Sequence, residues 1–228
     1  MSRAIIGAPR SEGDFQQIVR RAYGDASWLT RHKQSLRLEI CPFHLLVDAI
    51  PNQSSILDVG CGGGLFLVLL ACFGKVQFGL GFDANAQAIQ IAQQAADRLP
   101  QRANLYFEHR DLRDGWPEGR FDVVSVIDVV HHLPRVSQAA LITEAAEHVA
   151  PGGILLYKDM SQRSLWCAWG NRLHDLLFAG QWINYAGISD VIAWARQNRL
   201  VHEAEGRCNI LWYAHEWCVF RRPVQGAA

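Results

Sequence analysis

The 228-residue chain carries no excess charge of either sign, its 22 Lys and Arg offsetting 22 Asp and Glu. Without a basic field it lacks the electrostatic grip that a dedicated binder of nucleic acid or of an anionic membrane needs, so a small or weakly charged partner is expected. No export signal is expected, because MSRAIIGAPR offers only a two-residue apolar pair after its basic position. A membrane span is not expected either. The longest apolar stretch, from Ile56 to Phe82, is interrupted by Asp58, the glycine cluster and Lys75 well before about 20 apolar residues accumulate. The cysteines (Cys41, Cys61, Cys72, Cys167, Cys208 and Cys218) form no CxxC pair and no CxxC/HxxxH array. Neither a zinc or other metal site nor a disulfide framework is therefore signalled, and the thiols read as reduced and cytoplasmic. Repeats with a period of about 20 to 50 residues and low-complexity blocks are also missing, which leaves one globular unit. Half of its residues are apolar and 10% aromatic, enough to build a core and to exclude disorder.

What the sequence does contain, from Ser54 onward, is an alternation of short apolar or β-branched runs with longer segments of helical period. That alternation folds as a parallel sheet with helices on both faces. Strands are expected at Ser55–Val59, Val76–Phe82, Leu105–Glu108, Phe121–Ile127 and Ile154–Tyr157. Helices are expected at Leu65–Phe73, closed by Gly74; at about Ala86–Leu99, ended by Pro100; and at about Gln138–Val149, with Ser137 as N-cap and Pro151–Gly153 turning into the fifth strand. Asp190–Asn198 reads as a further helix. Leu200–Glu205 and Leu211–Phe220 read as an antiparallel strand pair joined by a turn at Gly206–Asn209. Two aromatic-rich segments stand outside the alternation: residues 1–53, helical, with Phe15, Tyr23, Trp28 and Phe43, and residues 161–189, with Trp166, Trp169, Phe178, Trp182 and Tyr185. Packing of these rings onto the sheet and lining of a pocket are both open to them.

The sharpest feature is ILDVGCGGGLF at Ile56–Phe66, where a strand enters a DxGxGxG turn and then a helix. A turn this tight, with glycine at Gly60, Gly62 and Gly64, lets a ligand lie against main chain. The dinucleotide fingerprint requires Gly or Ala where Leu65 stands, and no Gly-Lys-Ser/Thr follows to make a P-loop. Asp58 would oppose a diphosphate and suits a cationic or amino-bearing ligand.

With these residues the chain resembles the class I S-adenosylmethionine-dependent methyltransferases, and the resemblance continues through residues 54–160. GFDAN at Gly81–Asn85 sets Asp83 nineteen residues after Gly64, RDL at Arg110–Leu112 follows the third strand, and FDVVSVIDVVHHLP and HVAPGGILLYKD resemble the family's fourth- and fifth-strand elements. The resemblance implies a Rossmann-like, doubly wound α/β sheet of seven strands, mostly parallel with one antiparallel strand. It divides the chain into a helical N-terminal lid (1–53), a cofactor core (54–160), an aromatic insert (161–189) and a last helix with the antiparallel pair (190–228). It implies S-adenosyl-L-methionine as cofactor, leaving S-adenosyl-L-homocysteine, with Asp58, Gly60, Cys61, Gly62, Gly64, Asp83, Ala84, Asp111, Leu112, Ile127 and Asp128 around it. In this reading Asp83 accepts the ribose hydroxyls and Asp111 meets the adenine amino group, although a helix-cap role for Asp111 stays open. Ile127 offers only backbone where relatives carry a polar side chain.

Methyl transfer from a sulfonium asks the protein mainly to orient the acceptor. Candidate general bases past the fourth strand are Asp128, His131 and His132, of which His132 matches the histidine the family commonly carries and which often only holds the helix start. Lys158 and Asp159 either face the acceptor or pair with each other. The absence of an NPPY-like tetrapeptide argues for a small molecule over a nucleic-acid base, an aromatic or acyl one, with oxygen preferred to carbon as acceptor. The basic run Arg31–Arg37 is either a solvated helix face or a dock for a carrier protein bearing the substrate. Two alternatives remain, a non-catalytic scaffold or binding subunit and a nicotinamide-dependent oxidoreductase.

Overall fold

The structure is a computed structural model in which residues 11–99, 104–161, 184–210 and 213–224 are described. The described residues begin with three helices, α1 (Glu12–Ala22), α2 (Trp28–Ile40) and α3 (Phe43–Ala49). The core follows as β1 (Ser54–Val59), α4 (Leu65–Cys72), β2 (Val76–Asp83), α5 (Ala86–Asp97), β3 (Leu105–His109), β4 (Phe121–Ile127), α6 (Arg135–Glu147) and β5 (Val149–Met160). It ends in α7 (Ile188–Gln197), β6 (Val201–Ile210) and β7 (Tyr213–Arg221).

The seven strands form one sheet in the order β3-β2-β1-β4-β5-β7-β6. Strands β1 to β5 pair parallel, whereas β7 runs antiparallel to both β5 and β6. Chain order reverses at β1, so the C-terminal ends of β1, β2 and β4 open a crevice there, the usual place for a ligand in a doubly wound sheet. Two cores cover the sheet, one beneath α1, α3, α4 and α5, the other beneath α6 and α7.

Helix α4 explains the packing of α1 and α3 ahead of β1. Its residues Leu65 to Leu70 are all buried, so it is apolar all round and needs cover on its outer side as well as from the sheet. Phe15, Val19, Tyr23, Phe43 and Leu46 supply that cover, and the Tyr23 hydroxyl donates to the Gly63 carbonyl at 2.7 Å. The packing role therefore holds for Phe15, Tyr23 and Phe43, while Trp28 is 66% exposed.

Three expectations are corrected. Gly206–Asn209 is not a turn, because β6 runs on to Ile210 and pairs Gly206 with Trp217. The glycine is there to admit an indole, since a Cβ at Gly206 would stand 2.6 Å from Trp217 Nε1. Pro151–Gly153 lies within β5, where the register against β4 shifts and Gly152 takes φ +81°. Ser137 is not an N-cap, since it lies inside α6, which starts at Arg135 with Pro134 as its N-cap residue. Trp166, Trp169, Phe178 and Trp182 of the aromatic insert lie outside the described residues.

Candidate active site

A cavity of about 1230 Å³ opens at the C-terminal ends of the parallel strands, between the glycine loop, the tips of β2 and β4, and α2. Gly60, Gly62 and Gly64 take φ of +65°, +53° and +75°, values that L side chains rarely adopt. Gly60 and Gly62 line the cavity; Gly64 does not, and a Cβ there would stand 2.8 Å from Ala92 and 2.9 Å from the Phe107 ring. Cys61 is buried, its thiol pressed against Gly81 and its N–H donating to the Phe82 carbonyl at 3.0 Å.

Asp83 ends β2 on the cavity wall, and each of its oxygens accepts one backbone amide, from Gly62 at 2.9 Å and from Asn85 at 2.8 Å. Asn85 in turn caps α5 by accepting from Ala88 at 3.0 Å. A carboxylate has about four acceptor sites. The two amides fix its orientation and leave capacity for further donors such as a sugar diol. Ala84 lies beside it on the wall.

Asp111 and Leu112 also line the cavity, but the Asp111 carboxylate is committed elsewhere. Its two oxygens receive Nε and Nη2 of Arg113 at 2.9 and 2.8 Å, and one also accepts the Arg113 backbone amide to cap a short 3₁₀ turn at Leu112–Asp114. The Arg113 hydrogen bonds hold this carboxyl well below the usual range. The cap is thus formed here.

Asp58 stands beneath the loop instead of on the cavity wall. It is 3% exposed and accepts the Ser125 hydroxyl at 2.6 Å, a residue in register with it on β4. Burial lifts its carboxyl to about 7 against the pull of Ser125 and Arg37. Such a group, bound to Ser125 across the strands, steadies the end of β1 beneath the loop. Ile127 is buried in the core under α4, as an apolar side chain there must be.

Asp128 follows β4 with φ +58°, rare for a non-glycine residue and a form of strain that concentrates at functional sites. Its carboxylate accepts from Lys158 Nζ at 2.6 Å and lies 3.8 Å from Arg37 Nη2. Although burial opposes it, these two cations hold Asp128 ionised, with a lowered pKa. A carboxylate so paired is a poor proton acceptor, which removes Asp128 from the candidate bases.

Lys158 and Asp159 do not pair with each other, because neighbours on a strand point to opposite faces. Lys158 goes to Asp128, and Asp159 goes to His131. Asp159 Oδ1 lies 2.5 Å from His131 Nδ1, and its Oδ2 accepts the His131 backbone N–H at 3.1 Å. Both side chains are buried, and His131 lines the cavity. Burial alone would lower the His131 pKa, but the Asp159 carboxylate outweighs it and raises it. His132 lines the same cavity but is exposed. Asp128, His131 and Asp159 have metal-ligand spacing, yet the Lys158 ammonium already fills the space beside Asp128, so the group reads as a charge network.

The sequence reading singled out Lys158 and Asp159 but not their pairing with Asp128 and His131, and it placed Arg37 in a solvated or carrier-docking face. Arg31 and His32 are exposed, but Arg37 turns inward, 3.4 Å from where a Cβ on Gly62 would lie. The signal was helical spacing: Lys33, Arg37 and Ile40 line the cavity as one stripe of α2.

Residues 31–200 match a family described as a methyltransferase domain. A ubiquinone biosynthesis O-methyltransferase of Alkalilimnicola ehrlichii is 31% identical over 153 residues, 64% of this chain and 60% of that protein. A 2-methyl-6-phytyl-1,4-hydroquinone methyltransferase of Synechocystis is 31% identical over 119 residues, 51% of this chain and 35% of the other. The chain thus spans about half the length of the curated relatives it matches. In fold it is similar to the magnesium protoporphyrin IX methyltransferase of Synechocystis PCC 6803 crystallised with SAH, with a TM-score of 0.67 at 21% identity over 90% of this chain and 93% of that one. No described helix is long and apolar enough to cross a membrane. The match over most of its length and the order of its strands place this chain in the methyltransferase domain family, with the class I S-adenosylmethionine-dependent architecture.

Proposed function

We propose that this protein transfers a methyl group from S-adenosyl-L-methionine to a hydroxyl of a small molecule, and that His131 takes the hydroxyl proton. The residues present fit the cofactor. Gly60 and Gly62 leave main chain bare on the cavity wall, Asp83 has acceptor capacity for the ribose diol, and Arg37 is a cation close enough to the loop to meet the carboxylate of an amino-acid arm. When bound, the cofactor supplies a methyl already activated by its sulfonium.

The chain then has two tasks. It orients the acceptor, a contribution worth about 10⁵ to 10⁸ M in effective concentration, and it removes a proton, worth about 10² to 10⁴ in rate. For the second, the buried pair between His131 Nδ1 and Asp159 is the observation that carries the proposal. With its Nδ1–H donated to Asp159, the imidazole keeps Nε2 as its basic nitrogen and cannot swing away. An amine would need no such fixed base once neutral, whereas a phenol or enol gains from one. The O-methyltransferase activity named for the Alkalilimnicola relative agrees with oxygen. Ile40, Trp116, Leu133, Leu141 and Met160 give the cavity an apolar lining suited to an aromatic or acyl acceptor.

The test is transfer of labelled methyl from S-adenosylmethionine to a panel of phenols, enols and amines of similar shape. Label on a hydroxyl oxygen, lost in His131→Ala and kept in His132→Ala, is the expected result. Label only on nitrogen or carbon, or a His131→Ala enzyme as fast as the parent, contradicts the proposal.

A further inference from the structure

Outside this cavity's lining, on the terminal strand pair, three side chains of metal-binding type converge. His202 and Glu205 lie on β6 and Cys218 on β7, and one ligand atom from each falls within 4.8 Å of the others. The sequence hides this, because residues three apart on a regular strand point to opposite faces. Here the pairing of β6 with β7 passes from His202↔Phe220 to Ala204↔Val219, so Glu203 is an extra residue in a bulge. The bulge restores the parity, and His202 joins Glu205, which is directly opposite Cys218.

The His202 ring has the character of a ligand awaiting a partner. It is held 5.4 Å from the Phe220 ring, and its Nε2 is buried without a hydrogen bond among the described residues, 3.6 Å from Glu205 Oε2. A buried ring nitrogen left unmatched is costly, so a group that fills its coordination is favoured there. Cys218 is fully buried, while Glu205 is half-exposed and open to solvent.

We propose that His202, Glu205 and Cys218 bind a divalent zinc-type ion that staples the edge strand β6 to β7. Imidazole, carboxylate and thiolate together form a borderline-soft set that selects zinc over magnesium or calcium, with water completing a tetrahedron. On binding, the Cys218 S–H bond breaks, its proton passes to solvent, and the sulfur lone pair forms the bond to the ion; no electron is transferred. Thiolate and carboxylate together cancel the two positive charges of the metal. The staple would secure an edge strand whose side chains are mostly exposed and which ends the sheet, where unpaired backbone invites misassembly.

The experiment uses the full chain, stripped with a chelator and titrated with Co²⁺ and then Zn²⁺. One equivalent of Co²⁺ should give tetrahedral visible bands and a near-ultraviolet thiolate-to-cobalt band, both displaced by Zn²⁺, and Zn²⁺ should raise the melting temperature. Cys218→Ser should lose the thiolate band. Glu205→Gln, at an exposed position that the fold tolerates, should weaken Zn²⁺ by about tenfold or more, since loss even of outer partners costs that much. A Cys72→Ser control should leave the spectrum unchanged. No band at one equivalent, a band that survives Cys218→Ser, or unchanged Zn²⁺ affinity in Glu205→Gln overturns the proposal.

Discussion

Asp159 grips His131 twice, through the ring at 2.5 Å and through the backbone amide at 3.1 Å. One carboxylate therefore sets both where the imidazole sits and how basic it is. A base must be neutral to act, and the His131 pKa is raised because Asp159 outweighs burial. The rising limb of kcat against pH is accordingly expected above the ordinary histidine value of about 6.5. Asp159→Asn should move that limb to lower pH and reduce kcat at the plateau, while His131→Ala should cost about 10² to 10⁴ in kcat and flatten the limb. A limb in the same place in parent and Asp159→Asn enzymes would contradict the pairing.

Asp83 has both oxygens oriented by amides, so Asp83→Ala should remove the sugar's acceptor and free the Gly62 and Asn85 amides together. A loss of about 1 to 3 kcal/mol in cofactor binding is expected, read as roughly 5- to 150-fold in Kd by equilibrium dialysis. Asp83→Asn, which keeps one acceptor oxygen, should lose less than Asp83→Ala.

Lys158 is 1% exposed and its ammonium lies against Asp128. Lys158→Met leaves a half-buried carboxylate with Arg37 3.8 Å away. Breaking a fully buried pair from one side costs about 3 to 5 kcal/mol, a ceiling here because Asp128 keeps 23% of its side chain exposed, whereas replacing both partners costs much less. Urea unfolding should show Lys158→Met strongly destabilised and the Lys158→Met, Asp128→Asn double variant largely restored.

Asp58 supplies a pH signature of its own. Burial raises its carboxyl from 3.8 to about 7 in the folded chain. A group raised on folding contributes stability that is fully present below its unfolded pKa and is lost as pH rises through the folded one. The window therefore lies between pH 3.8 and about 7. The upper bound on the loss is about 4 kcal/mol, at roughly 1.4 kcal/mol per pH unit. Asp58→Asn should remain folded and lose that slope in a series of denaturation midpoints; an unchanged slope would assign it to other groups.

Much of this site was readable because it is local. The strand, the glycine loop and Asp83 depend on neighbours in sequence, and positive φ at Gly60 and Gly62 requires what the spelling already offers. Other parts depend on contacts that sequence does not encode nearby. Which of two adjacent histidines turns inward is decided by a 3₁₀ turn at Val130–His132 and by Asp159 on the next strand, so His132 looked the better candidate. Arg37 was legible as a cation but not as an inward one, because only packing of α2 over the loop gives it a direction. Gly206 read as a turn since glycine serves turns and close packing alike, and the ring that needs the space, Trp217, lies across the hairpin.

The central claim is that the crevice at the glycine loop holds a sulfonium nucleoside. Isothermal titration of the full chain with S-adenosylhomocysteine tests it most directly. A single site per chain, weakened in Asp83→Ala and untouched by His132→Ala, is the predicted result. No heat with S-adenosylhomocysteine or S-adenosylmethionine, or tight binding of NADH in their place, would contradict it.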